Sequence, residues 1–169
     1  MAQSVLRQLK ETCARVKGPR LTGTGYLIAE GRLATAYHVV EPLQEGGQCE
    51  VLLGLDQTAY QARLMRVDQL ADAAILAIGA GVAVAPLPVG HGVLTDDKWQ
   101  AFGFPEIAKS TGVPLDGIVQ DQHAHNDAGQ PALLLFSRQI GSGSGAPLHG
   151  ASALERAVRH HALSRPKRT

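Results

Sequence analysis

With 169 residues, 44% of them apolar and 18% charged, the chain has the composition of a globular protein, either one domain or two small barrels sharing an interface. A net charge of +1 offers no argument for nucleic acid or a membrane surface, and neither is expected as a partner. Two cysteines, Cys13 and Cys49, are too few for a disulfide scaffold. The N-terminal stretch lacks an apolar run of signal-peptide length, and nothing approaches a run of about 20 apolar residues, so a cytoplasmic setting is expected.

In chain order, Val5, Leu6, Leu9, Cys13 and Val16 recur at roughly helical spacing and predict an amphipathic helix over 3–16, ended by Gly18-Pro19. Short apolar runs between Gly, Pro, Asp and Asn turns follow. They predict strands over 24–29, 32–36, 49–54, 59–67, 73–78, 97–103, 115–121 and 131–136, the texture of a sandwich or barrel. The Gly-, Ala- and Pro-rich stretch 79–92 reads as a connection between two β halves. Residues 151–163 are Ala-rich and read as helix, with a frayed end after them. From Glu155 onward the charge balance is +4, which leaves −3 for residues 1–150. Such a basic tail reads as solvated surface.

Candidate chemistry starts at Ser142-Gly143-Ser144-Gly145-Ala146-Pro147. Small neighbours let the backbone turn tightly around an exposed hydroxyl and leave N–H groups free to face a developing oxyanion. Taken alone, the stretch also fits an ordinary Gly/Ser loop. A nucleophile needs a base within hydrogen-bond reach, and the base needs an orienting carboxylate. His38 ends the apolar strand in Leu33-Ala34-Thr35-Ala36-Tyr37-His38-Val39-Val40 and begins a helical turn. By itself it reads as a packing or surface histidine. Asp72 opens the apolar run Ala73-Ala74-Ile75-Leu76-Ala77-Ile78 and by itself reads as a turn or cap residue.

Together, the order His38, Asp72, Ser144 resembles that of the trypsin-like (chymotrypsin-fold) serine proteases. Gly23-Thr24-Gly25-Tyr26-Leu27-Ile28 is similar to the Gly-Ser/Thr-Gly-Phe strand of compact bacterial members. Thr35-Ala36-Tyr37-His38-Val39-Val40 is similar to their Thr-Ala-Ala-His-Val-Val, and Asp72-Ala73-Ala74-Ile75-Leu76 to Asp-Leu-Ala-Leu-Leu. Phe102-Gly103-Phe104-Pro105 resembles their Gly-Phe/Tyr-Pro turn, and residues 142–147 resemble Gly-Asn/Asp-Ser-Gly-Gly-Pro. These matches follow one another in family order over residues 23–148.

The resemblance implies an all-β chymotrypsin fold of two six-stranded-type antiparallel barrels, the second incomplete. The expected organisation is one domain: an N-terminal helix over 1–20, a first barrel over 21–84, a partial second barrel over 85–150 and a basic helical tail over 151–169. It also implies a serine endopeptidase acting on a polypeptide through an acyl-enzyme, without metal or cofactor. Ser144 would be the nucleophile, His38 the base and Asp72 its orienting carboxylate, with the backbone N–H groups of Ser142, Gly143 and Ser144 as the oxyanion hole. The family places a Pro three residues after the reactive serine, and by that resemblance Pro147 fits Ser144 and not Ser142. Neither serine has the flanking glycines of a Gly-x-Ser-x-Gly elbow.

Three departures qualify the match. Gly143 stands where digestive relatives carry an Asp that pairs with a new N-terminus, so zymogen activation of that type is not expected. Ser142 and Ala146 stand where glycines are usual. Only 25 residues follow Ser144, without β pattern, so the second barrel is expected to keep an open edge. A protein partner that completes the sheet, and a role as an inactive or truncated binding or regulatory module, are the alternatives this suggests.

Elsewhere, His123-Ala124-His125 with Asn126 and Asp127 matches part of a metal site, but no Cys or third His stands at supporting spacing. The segment reads as a polar hairpin loop, and a zinc hydrolase is the rival it leaves open. Asp96-Asp97 reads as a turn into a strand, with Trp99 in the core. Arg138 lies six residues before Ser144, near where relatives line the base of the specificity pocket. His160-His161 reads as solvated helix surface.

Overall fold

A computed structural model describes residues 2–79, 81–88, 92–104, 111–125, 129, 131 and 134–136. Helix α1 spans Ala2–Thr12. Leu9 is buried, and Val5 and Leu6 pack beside it. The helix stops sooner than its apolar spacing predicts. Thr12 turns its hydroxyl back to donate to the carbonyls of Gln8 (2.8 Å) and Leu9 (3.2 Å), a bond that satisfies Thr but does nothing to extend a helix.

Cys13–Lys17 then form strand β1 rather than the last turn of a helix over 3–16, and the first barrel takes this strand from ahead of residue 21. The reason is tertiary. Cys13 and Val16 stand at a spacing that suits a helix, but Ala14 and Val16 also alternate. As a strand the segment pairs on both sides, with Val16 opposite both Gly23 and Val51. A closed sheet needs this strand, and its pairing overrides the local period.

The barrel continues through β2 (Thr22–Ala29), β3 (Arg32–Thr35), the single turn α2 (Tyr37–Val40), β4 (Gln48–Leu53), β5 (Thr58–Asp68) and β6 (Ala73–Ile78). All neighbours are antiparallel, in the order β1-β2-β3-β6-β5-β4, with β4 returning to β1. Closure leaves no edge strand to protect. β6 shows the logic: Ala74, Leu76 and Ile78 are buried while their neighbours are not. Val16, Leu27, Leu33, Val51, Leu53, Leu64 and Leu76 fill the interior, each almost wholly buried.

A second antiparallel sheet has the order β7 (Lys98–Gly103), β8 (Val113–Asp121), β9 (Leu134–Phe136). It packs on the outside of the barrel. Leu9, Cys13, Tyr26, Ala34 and Leu87 meet Trp99, Ala101, Phe102, Phe104 and Val119 in one cluster. Strands β2 and β3 are therefore used on both faces. Leu27 and Leu33 point into the barrel, and Tyr26 and Ala34 point to the second sheet. Trp99 lies in this core, as its sequence context suggests, and its indole donates to the Ile118 carbonyl at 3.1 Å.

Within the connection between the halves, residues 81–88 contain no strand. They lie on the barrel: Val82 and Val84 pack on its core, and the Leu87 amide donates to the Leu27 carbonyl at 2.8 Å. The all-β class with two β halves is what the sequence predicts. The expected helical tail over 151–169 lies outside the described residues.

Candidate active site

His38 is carried by α2, a turn whose other side is driven into the barrel. Val39 and Val40 are buried there, whereas the His38 side chain stays half exposed. Gly18 makes the seat: a Cβ at that position would stand 1.7 Å from the Val39 carbonyl oxygen. No side chain fits that approach.

Asp72 comes from the tight turn between β5 and β6. The Ala71 amide donates to Asp68 Oδ1 (3.0 Å), and the Asp72 amide to the Gln69 carbonyl (3.2 Å). Asp72 has φ +48°, in the left-handed region that Asp tolerates better than most residues. Thr35 pairs with Ala74 across β3 and β6, so the end of the strand leading to His38 lies beside the start of the strand that follows Asp72. This pairing brings together residues 34 apart in sequence.

Three bonds then lock them. The Tyr37 amide donates to the Asp72 carbonyl at 3.2 Å. The His38 amide donates to Asp72 Oδ1 at 3.0 Å, and His38 Nδ1 lies 2.7 Å from Asp72 Oδ2. An ionised carboxylate only accepts, so the proton of a neutral imidazole sits on Nδ1 and the lone pair on Nε2. The arrangement presents an oriented base. One further bond, which sequence reasoning missed, links the two loops: Gln69 Nε2 donates to the Tyr37 hydroxyl at 3.3 Å. Side chains that meet across 32 positions leave no local signal.

Both thiols are poor candidates for nucleophile. Burial pushes Cys13 far above the ordinary thiol range, with the neighbouring Tyr26 hydroxyl acting the other way, and burial raises Cys49 as well. Thiolate chemistry needs the opposite environment.

Ser142, Gly143 and Ser144 lie outside the described residues, as do Pro105, Asn126, Asp127, Arg138, His160 and His161. His123 donates its amide to Asp121 Oδ1 at 2.8 Å, and its Nε2 lies 2.9 Å from Gln122 Nε2. His125 forms an isolated antiparallel bridge with Pro131. Among the described residues, no group of three or more His, Cys, Asp or Glu is placed to hold a metal, and no helix is long and apolar enough to cross a membrane.

A family described as a trypsin-like peptidase domain matches residues 23–152. Among solved structures, the serine endoprotease from Yersinia pestis is similar, with a TM-score of 0.63 at 20% sequence identity. The alignment covers 81% of this chain and 53% of that one, so the chain spans about half the length of that relative. At this identity the likeness speaks for the fold. No curated protein matches the sequence.

Proposed function

Because the chain belongs to the trypsin-like peptidase domain family, we propose that it is a serine endopeptidase that cleaves polypeptides through an acyl-enzyme. The observation that carries this reading is the base already oriented: His38 Nδ1 at 2.7 Å from Asp72 Oδ2, with the other carboxylate oxygen held by the His38 amide. The family match extends past residue 144, which supports Ser144 as the third member.

In this mechanism Ser144 Oγ attacks the scissile carbonyl carbon while His38 Nε2 takes the hydroxyl proton. The developing oxyanion is met by the backbone N–H groups of Ser142, Gly143 and Ser144. The C–N bond breaks as His38 returns the proton to the leaving amine. Water then attacks the ester, again giving its proton to His38, and the acid leaves as Ser144 regains a proton. Asp72 keeps the imidazole in the productive tautomer and stabilises its cation. No cofactor enters these steps. A reducing, cytoplasmic setting belongs to the same reading, supported by two buried cysteines that remain free thiols.

The test is labelling of the purified full chain by a broad serine-reactive phosphonate probe. Wild type is expected to be labelled at Ser144 alone, and Ser144→Ala to be blank. A well-folded wild type that takes no label would overturn the peptidase reading and leave a protease-like binding module in its place.

A further inference from the structure

Two segments that resemble the family separately in sequence touch each other in the fold. Thr24, the middle residue of Gly23-Thr24-Gly25, turns its hydroxyl toward the end of β7 and accepts the backbone N–H of Phe104 at 2.8 Å. A Cβ on Gly103 would stand 3.0 Å from the same oxygen, so the chains approach closely because residue 103 has no side chain. On its other side, the Thr24 carbonyl accepts the hydroxyl of Thr35 at 2.9 Å. Thr35 is wholly buried, ends β3 three residues before His38, and pairs with Ala74, two residues after Asp72. One residue thus joins the second sheet to the strand pair that holds the base.

The rest of this junction is mostly apolar, with two further hydrogen bonds that converge on a single acceptor. Tyr26, Phe102, Phe104 and Val119 meet through apolar contact, which is non-directional and tolerates sliding. The Tyr26 hydroxyl and Cys13 Sγ both donate to one acceptor, the Phe102 carbonyl. The Thr24–Phe104 bond instead sits at the point where β7 leaves its sheet, on the strand that is bonded onward to Thr35.

We infer that Thr24 is a positioning residue for the reaction: it sets the register of the second sheet against the β3–β6 strand pair that carries His38 and Asp72. This rests on the serine-peptidase reading, in which the nucleophile comes from the second half of the chain and must meet a base held by the first. Val at this position keeps the shape of Thr and removes the acceptor. Ser keeps the acceptor.

The experiment measures phosphonate labelling over a range of probe concentrations for full-length wild type, Thr24→Val and Thr24→Ser. This separates the maximal rate from the half-saturating concentration. NMR follows the Phe104 amide by hydrogen exchange and the His38 Nδ1 proton by its downfield resonance. Thr24→Val is expected to lower the maximal rate by about ten- to a hundredfold, the scale on which a misplacement of about 1 Å acts. The half-saturating concentration should change little, Phe104 should exchange faster, and the His38 resonance should stay in place. Thr24→Ser should restore the rate and the Phe104 protection. Gly103→Ala, which crowds the same hydroxyl, should move the same two readouts and supports the inference if Thr24→Val folds poorly.

A wild-type labelling rate in Thr24→Val would overturn the inference, and so would a loss that Ser does not restore. Loss of the His38 resonance along with the rate would also overturn it, since the barrel itself would then have failed. If wild type takes no label, the peptidase reading fails, and Phe104 exchange alone decides the register role: faster exchange in Val but not in Ser upholds it, and equal exchange removes it.

Discussion

The two halves of the described structure are held in different ways. The first barrel closes on itself through six strands and encloses its own core. The second sheet, three strands among the described residues, owes its buried face to the outside of the barrel, where Leu9, Cys13, Tyr26, Ala34 and Leu87 supply half of the cluster around Trp99 and Phe102. The base of the site therefore depends on one closed unit. The second half reaches that base through an interface, a few side chains deep, with Thr24, Tyr26 and Cys13 as its hydrogen-bonding members.

The largest effect should come from a change confined to the first unit. In Asp72→Asn the amide can present N–H rather than oxygen to His38 Nδ1, so the imidazole takes the wrong tautomer. The phosphonate labelling rate should fall by about 10⁴, the scale of this substitution in enzymes with such a triad, while Phe104 exchange stays unchanged. A near-normal rate would remove Asp72 from the mechanism.

A smaller effect tests how far the second sheet depends on the barrel. Leu76 is wholly buried in the barrel, and Leu76→Ala should cost about 2–5 kcal/mol through lost burial and the cavity left behind. Trp99 is the single tryptophan and lies in the second sheet, so its fluorescence reports that sheet during urea unfolding. Its transition should shift to lower urea together with the far-ultraviolet circular dichroism. A Trp99 transition that stays at the wild-type midpoint would show that the sheet holds without the barrel.

These dependencies were legible in the sequence to different depths. Strand β6 is found where the apolar run opened by Asp72 predicts it, and β7 differs from its predicted span by one residue. Strand β1 was hidden because its apolar residues suit two periods, and the deciding influence is β4, which lies far along the chain. His38 and Asp72 stood out through their order and neighbours. Their geometry follows from the β3–β6 pairing, which no single residue announces. Thr24 was visible inside a motif but had no assigned partner, because its bond reaches 80 positions ahead.

Cys13 gives the most delicate probe of the junction. It is wholly buried between barrel and second sheet, and burial raises its thiol pKa well above the ordinary value of 9.0. Below pH 9.0 the thiol is protonated in both folded and unfolded chains and adds no pH dependence. Above it, the unfolded chain releases a proton that the folded chain keeps, so stability falls as pH rises. One such proton contributes a slope of about 1.4 kcal/mol per pH unit. Cys49, also raised by burial, adds in the same direction. Urea unfolding of wild type and Cys13→Ala on either side of pH 9.0 reads the difference. The variant has a different stability throughout, so the comparison is of slopes: wild type should lose stability more steeply on the alkaline side. Equal slopes would mean that Cys13 ionises in the folded chain, which requires water at the junction. In that case the second sheet would open away from the barrel far more readily than the barrel itself unfolds.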